Sequence, residues 1–301
     1  DNIDPQEYKA EQRQKNEQAH LNTLEHIAGQ WYEVKKTSVS TSYSQKIYRS
    51  LELHILPKLG KLPIHKITAT QAIEVLKPLS EAGKLDMIKR VSQALNQIMT
   101  FAVNTGVIHH NPLTKITSAF KSPERRHQPT IAPSELPELM KALSYANIHL
   151  LTRAMIEWQL HTMTRPSEAA RARWKDIDLK AELWNIPADR IKMKRPHSIP
   201  LSPQALELLE IIKPHSGDSE FLFPSDRKPG QHRNTQTANM ALKRMGFAGR
   251  LVAHGLRSIA STALNEQEFN PDVIEAALAH LDKNEIRAAY NRSQYLEKRR
   301  V

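Results

Sequence analysis

The sequence predicts a mainly α-helical protein of two units. An N-terminal helical bundle is followed by a larger, mostly helical unit that carries a small antiparallel three-stranded sheet. Three observations carry this reading. Apolar stripes at helical spacing fill residues 23 to 106, a proline-punctuated basic stretch follows at 115 to 133, and beyond Arg165 the period changes for three short runs. At roughly 100 to 200 residues per domain, a 301-residue chain is also long enough for two cores.

Residues 1–20 are almost wholly polar and read as a solvated lead-in. Thr23 is placed as an N-cap, and Leu24, Ile27, Ala28, Trp31, Tyr32 and Val34 behind it form the first apolar stripe. A second stripe (Ile47, Leu51, Leu53, Ile55, Leu56) stops at Pro57, and Gly60 lies just beyond. A third starts after the cap-like Thr68 and ends at Gly83, and a fourth runs from Ile88 to Val103 and stops at Gly106. Short connections between four such helices predict a bundle over 21–115, in which Trp31 and Tyr32 belong to the core.

Residues 116–132 read as the interdomain linker, kept extended by Pro123 and Pro129 and carrying the basic group Arg125, Arg126 and His127. The second unit then spans 133–301. Ser134 is expected to cap its first helix, and another helix follows from about Ile148 to Met163. Runs at Ala172–Ile177, Leu183–Ile186 and Ser198–Leu201 read as strands, antiparallel if joined by hairpins. Helices resume near Pro203, with a break around Pro224 to Arg233.

Composition narrows the function. With 40% apolar residues, nine Gly and eighteen Pro, the chain is neither low-complexity nor disordered. Without cysteine it has no disulfide framework, thiolate metal site or Cys nucleophile, which fits a reducing compartment; a cytoplasmic, nucleoid-associated protein is expected. No apolar run approaches the roughly 18 residues of a spanning helix, so no membrane partner is expected. Lys and Arg number 43 against 32 Asp and Glu, and both parts of the chain share the excess: 18 against 12 up to residue 130, 25 against 20 after it. Basicity spread over two folded units points to a polyanion gripped from two sides.

Absences narrow it further. There is no Gly-rich phosphate loop, GxGxxG, HExxH or GxSxG, and no carboxylate cluster for a two-metal site, so neither cofactor nor metal is expected. What remains is a set of cations, histidines and a phenol near element ends: Arg165 in HTMTRPSE, Lys192 in RIKMKRPHSIPL, His254 and Arg257 in HGLR, His280 in ALAH, and Tyr290 in AAYNR. Taken singly, such residues are usually surface charges or core aromatics, and Tyr295, His161 and His197 are read as structural.

The set taken together resembles the tyrosine recombinases. HTMTRPSEAARARWKDIDL is similar to that family's first arginine motif, HGLRSIAST to its His-x-x-Arg motif, and LAHLDKNEIRAAYNR to its terminal His and Tyr, in the same order and at matching separations. The wording RPHSIPLS and AAYNR is most similar to integrases of prophages and genomic islands. The resemblance covers about Ile131 to the end by motif, and implies that the bundle is a core-binding DNA domain and the second unit the catalytic domain. Relatives also lead one to expect an arm-binding domain before such a segment and a longer tail after the Tyr. This chain starts without Met, as an excised piece would, and ends eleven residues past Tyr290.

The residue types support such chemistry independently. A phosphodiester repels nucleophiles, so a metal-free site needs fixed cations, and the planar forks of Arg165 and Arg257 match phosphate oxygens and the growing charge of the transition state. Tyr290, with an ordinary pKa of about 10, needs such a pocket or a proton acceptor to attack. The departing 5′ hydroxyl needs a proton. Lys192 is the expected general acid, preferred over Lys194 because its distance to the IPL run matches the family pattern, and in relatives this lysine sits in a β-hairpin turn. His254 and His280 are expected to donate to phosphate oxygens or to take the tyrosine proton. Glu168, one turn after Arg165, is expected to orient site cations, and Lys194, Arg125 and Arg126 to contact DNA.

The resemblance implies double-stranded attachment sites as substrate, a homotetramer on DNA, and accessory DNA-bending and directionality proteins as further partners. Two other classes stay open on sequence: a type IB topoisomerase, which uses nearly the same residues, and a non-catalytic DNA-binding module that kept the fold.

Overall fold

The computed structural model describes residues 22–124, 127–191, 194–280 and 295–300. It divides into two compact units, Asp1–Arg125 and Arg126–Val301.

In the first unit, helix α1 (Leu24–Ser38) begins where Thr23 accepts a hydrogen bond from the His26 amide, 3.3 Å. Helix α2 (Thr41–His54) is followed by a single turn, α3 (Leu56–Leu59), which takes Pro57 into its first turn, where a missing amide proton costs nothing. Helix α4 (Ala69–Glu81) starts from a full capping box. The Thr68 hydroxyl accepts from the Gln71 amide at 3.3 Å, and the Gln71 side chain accepts from the Thr68 amide at 2.9 Å. Helix α5 (Leu85–Asn104) is the longest, and its Ile88, Val91, Leu95, Ile98, Met99 and Ala102 form one buried stripe. The four longer helices close over a core that also contains Leu24, Ile27, Leu51, Ile55 and Leu76. Trp31 is buried in it, whereas Tyr32 is half-buried and meets the Tyr48 ring at 4.5 Å.

The segment between the stripes of the two units is less extended than its prolines suggest. Ile116–Ala119 forms a 3₁₀ turn, with Ile116 buried in the first core. Ile131 is buried in the second. The turn lies upstream of Pro123, where the segment holds no proline.

The second unit is organised around one helix. It contains α6 (Leu136–Tyr145), α7 (Leu150–Thr162), the short α8 (Pro166–Ala170), three strands, α9 (Pro203–Ser216), α10 (Thr237–Leu242), α11 (Gly255–Glu266) and α12 (Pro271–Ala277). Helix α7 packs against α8, α9, α10 and α11, which is why most of its residues are buried. Gln159 is one of its few buried polar residues, at 1% exposure. Strands β1 (Ile177–Asp178), β2 (Leu183–Ile186) and β3 (His197–Pro200) form an antiparallel sheet in that order, with Trp184 opposite Ile199 and Ile186 opposite His197. The sheet meets α7 through Trp184, whose ring lies 5.2 Å from that of Trp158.

Two sequence expectations are corrected here. Ser134 does not cap a helix: Pro133–Glu135 is a 3₁₀ turn, and α6 starts at Leu136 with Pro137 in its first turn. Glu135 instead accepts from the Ala132 amide at 2.8 Å and pairs with Arg250 at 2.8 Å. The first strand is also shorter than Ala172–Ile177. Trp174–Asp176 coils into a 3₁₀ turn so that the Trp174 indole can donate to the Ser216 carbonyl at 2.8 Å, which leaves Ile177 and Asp178 to pair.

Among the described residues, no helix is long and apolar enough to cross a membrane. The capping box gives a direct test of local stability. Thr68→Ala should destabilise the protein by about 1 kcal/mol in urea unfolding, and Thr68→Asp, which restores an acceptor, should recover most of it.

Candidate active site

The site forms where the C-terminal end of α7, the start of α11 and the end of α12 meet. Helix α7 terminates at Met163, which adopts the left-handed conformation (φ 54°). Two buried hydroxyls hold it there, since Thr162 and Thr164 hydrogen-bond each other at 2.9 Å across it and Thr162 also donates to the Trp158 carbonyl at 2.6 Å. The chain then turns into α8 with Arg165 as the residue that caps it.

Arg165 is anchored by the carboxylate one turn on. Glu168, 5% exposed, pairs with the Arg165 guanidinium at 3.0 Å through one oxygen and accepts the Arg165 backbone amide at 3.0 Å through the other. A single buried carboxylate therefore fixes both the backbone and the head group of this arginine.

Arg257 enters from α11 and is itself 5% exposed. Its Nη1 donates to the Met163 carbonyl at 2.5 Å and its Nη2 to the Leu278 carbonyl at 2.6 Å. Nη2 also lies 3.4 Å from Nε2 of His280. Burial, followed by the neighbouring positive charge of Arg165, pushes the Arg257 pKa down to about 10, while Glu168 and Glu275 oppose the shift. The guanidinium stays charged at neutral pH. Two guanidiniums brought this close across a shared space are a standing demand for an anion.

His280 is placed by the end of α12. Ala279 takes the left-handed conformation (φ 49°), the Ala279 amide donates to the Ala276 carbonyl at 3.0 Å and the His280 amide to the Glu275 carbonyl at 3.0 Å. This is a Schellman closure with alanine at the position glycine usually holds. The Glu275 side chain completes it, since its carboxylate meets His280 Nδ1 at 2.8 Å. A carboxylate only accepts, so Nδ1 carries a proton and Nε2 is the nitrogen that faces Arg257.

His254 is exposed and stands at the N-terminal boundary of α11, in the turn closed by the Gly255 amide on the Val252 carbonyl at 2.7 Å. Lys194 is exposed, with φ 52°, in the turn before β3. Arg165, Arg257, His280 and Glu168 thus converge. Tyr290, Lys192, Arg125 and Arg126 lie outside the described residues. Among the described residues, no cluster of His, Asp and Glu is arranged to hold a metal ion.

Sequence reasoning missed several residues. Glu275 carried a usable signal, a carboxylate five positions before His280. Gln159 also carried one, as an amide between Trp158 and Leu160 in α7. His197, read as structural, is a buried histidine at the edge of the site. Burial first, then the charges of Arg299, Arg257 and Arg165, lower its pKa to about 4, and a hydrogen bond to the Ala277 backbone opposes this. Its Nε2 lies 3.5 Å from the Arg299 guanidinium.

Two predictions follow from these environments. His197 is neutral when folded but titrates near 6.5 when unfolded, so the unfolded chain binds more protons between about pH 4 and 6.5 and stability falls as pH drops through that window. Replacement by Gln should flatten that fall by up to about 3 kcal/mol, read from unfolding midpoints at successive pH values. Ala279→Gly should raise stability by up to about 1 kcal/mol, because relief of the left-handed strain exceeds the added chain entropy; a drop in melting temperature would contradict the strain.

Comparison with known proteins finds relatives of both units. Residues 129–297 match the Phage integrase family and residues 24–119 the Phage integrase central domain. Prophage integrase IntA of Escherichia coli (strain K12) is 51% identical over 298 residues, which is 99% of this chain and 72% of that protein. The integrase of Enterobacteria phage P4 is 34% identical over 315 residues, 99% of this chain and 71% of that one. In fold, the chain is similar to a lambda integrase (75-356) dimer bound to a COC′ core site, with a TM-score of 0.70 at 18% identity over 90% of this chain and 96% of that one. The Tn1549 transposon integrase in complex with circular intermediate DNA gives a TM-score of 0.70 at 15% identity, again over 90% and 96%. Both units fall within one family's architecture, and the chain belongs to the phage integrase family of tyrosine recombinases.

Proposed function

We propose that Tyr290 attacks a scissile DNA phosphate held by Arg165 and Arg257, leaving a 3′ phosphotyrosine and a free 5′ hydroxyl. As a family member, the chain is a site-specific integrase that breaks and rejoins DNA strands. The observation that carries the residue assignment is the convergence of Arg165, Arg257 and His280 on one space, with Arg257 depressed to about 10 by burial and by its fellow cation.

In the attack, the bond from phosphorus to the tyrosine oxygen forms as the bond to the 5′ oxygen breaks. The phenolic proton passes to His254 or His280, and Lys192 protonates the departing 5′ oxygen. The guanidiniums stabilise the added charge on the phosphate oxygens, and Glu168 and the Met163 and Leu278 carbonyls keep them in place without reorganisation. The phosphotyrosine conserves the ester bond, so rejoining to a new strand needs no ATP. Lys194, Arg125 and Arg126 contact the DNA backbone, where each neutralised phosphate releases condensed counterions.

The substrate on this reading is a double-stranded attachment site, used by a homotetramer. Support comes from fold relatives solved as a lambda integrase dimer on a core site and a lambda integrase tetramer on a Holliday junction. Accessory DNA-bending and directionality proteins are further proposed partners.

A nicked suicide duplex carrying the candidate attachment site tests the reading. Wild type should accumulate a covalent protein–DNA adduct, Tyr290→Phe none, and Arg257→Ala should slow accumulation by about 10²- to 10³-fold. Equal adduct from wild type and Tyr290→Phe would overturn the assignment.

A further inference from the structure

We propose that Gln159 and Asn239 are positioning residues for the reaction, which fix the backbone of Ala253 and through it the placement of His254 and Arg257. This rests on the reading of His254 and Arg257 as phosphate-binding groups. Ala253 is fully buried immediately before the His-x-x-Arg segment, and both of its backbone polar groups are held by side chains. The Gln159 amide donates to its carbonyl, and Asn239 Oδ1 accepts its amide at 2.7 Å.

The carbonyl belongs to the peptide that joins Ala253 to His254, so the tilt of that plane follows the Gln159 amide. Asn239 is oriented in turn, because its Nδ2 donates to Gln236 Oε1 at 2.9 Å. Oδ1 is thereby left facing Ala253.

The spacing turns two hydrogen bonds into a register. Gln159 meets Ala253, and Met163, four residues on, meets Arg257, also four residues on. The two rungs lie four residues apart on both segments, one inside α7 and one just past its end, so together they set where the His-x-x-Arg segment lies against the end of α7. Without the Gln159 rung, the Ala253 carbonyl loses the side chain that sets its direction. The Met163 rung ends on a phosphate-binding side chain, whereas the Gln159 rung ends on plain backbone, which gives a buried amide a purpose beyond packing.

The test measures single-turnover cleavage of the nicked suicide duplex alongside DNA affinity. Gln159→Met keeps the volume and removes the donor. It should bind DNA within about twofold of wild type while cleaving roughly 10²-fold more slowly, as a misplacement near 1 Å does. Asn239→Asp retains the acceptor and should cleave at the wild-type rate, whereas Asn239→Leu should share the defect. A purely structural role would lower the melting temperature of these variants but leave the cleavage rate of the folded fraction unchanged. Wild-type cleavage by both Gln159→Met and Asn239→Leu, with no adduct from Tyr290→Phe, would overturn the positioning assignment alone. Should Gln159→Met fail to fold, the Asn239→Asp and Asn239→Leu pair decides by the same readout. Adduct from Tyr290→Phe would instead overturn the reading of the site itself.

Discussion

The site depends on keeping two like charges together in a partly dry place. Arg165 and Arg257 repel, and burial removes the water that would screen them. The fold meets this cost with fixed acceptors: a buried carboxylate for one arginine and two backbone carbonyls for the other. None of these acceptors fully neutralises the pair, so an anion entering the space relieves repulsion as well as gaining hydrogen bonds. A phosphodiester, singly charged with two equivalent oxygens, matches two forks well.

Backbone geometry supplies much of that acceptor set. Met163 and Ala279 both occupy the left-handed region without being glycine, and each adjoins or supplies a carbonyl that holds Arg257. Strain of this kind survives only where the surroundings over-determine it. Here those surroundings are a pair of threonine hydroxyls at one end and the Glu275–His280 pairing at the other.

Much of this was legible in the sequence, for reasons that can be named. The first unit was legible because each helix carries its own local signals: Thr23 and Thr68 as caps, apolar stripes at the period of one turn, Gly83 and Gly106 just past the ends. The arginine and histidine motifs were legible because their chemistry needs rare combinations in a fixed order. What stayed hidden is non-local or contrary to local preference. The Gln159–Ala253 and Met163–Arg257 rungs join residues 94 positions apart, which no local pattern encodes. Alanine at a left-handed helix end looks like ordinary helix, and Trp174 in a β-prone run coiled because its indole had a distant carbonyl to reach. The short sheet likewise depended on what Trp184 met across the core rather than on strand propensity alone.

Gly255 ties the entry of the second unit to its chemistry. A side chain there would overlap the Pro129 carbonyl, and the neighbouring Thr130 hydroxyl donates to the Gly255 carbonyl at 3.0 Å while the Val252 amide donates to Pro129 at 3.2 Å. Two consecutive residues of what looks like connector, Pro129 and Thr130, are therefore stitched into the wall of the site. Anyone grafting this unit onto a different N-terminal module must place the seam upstream of Pro129, because a junction chosen at the first helix of the unit would discard the wall together with the connector.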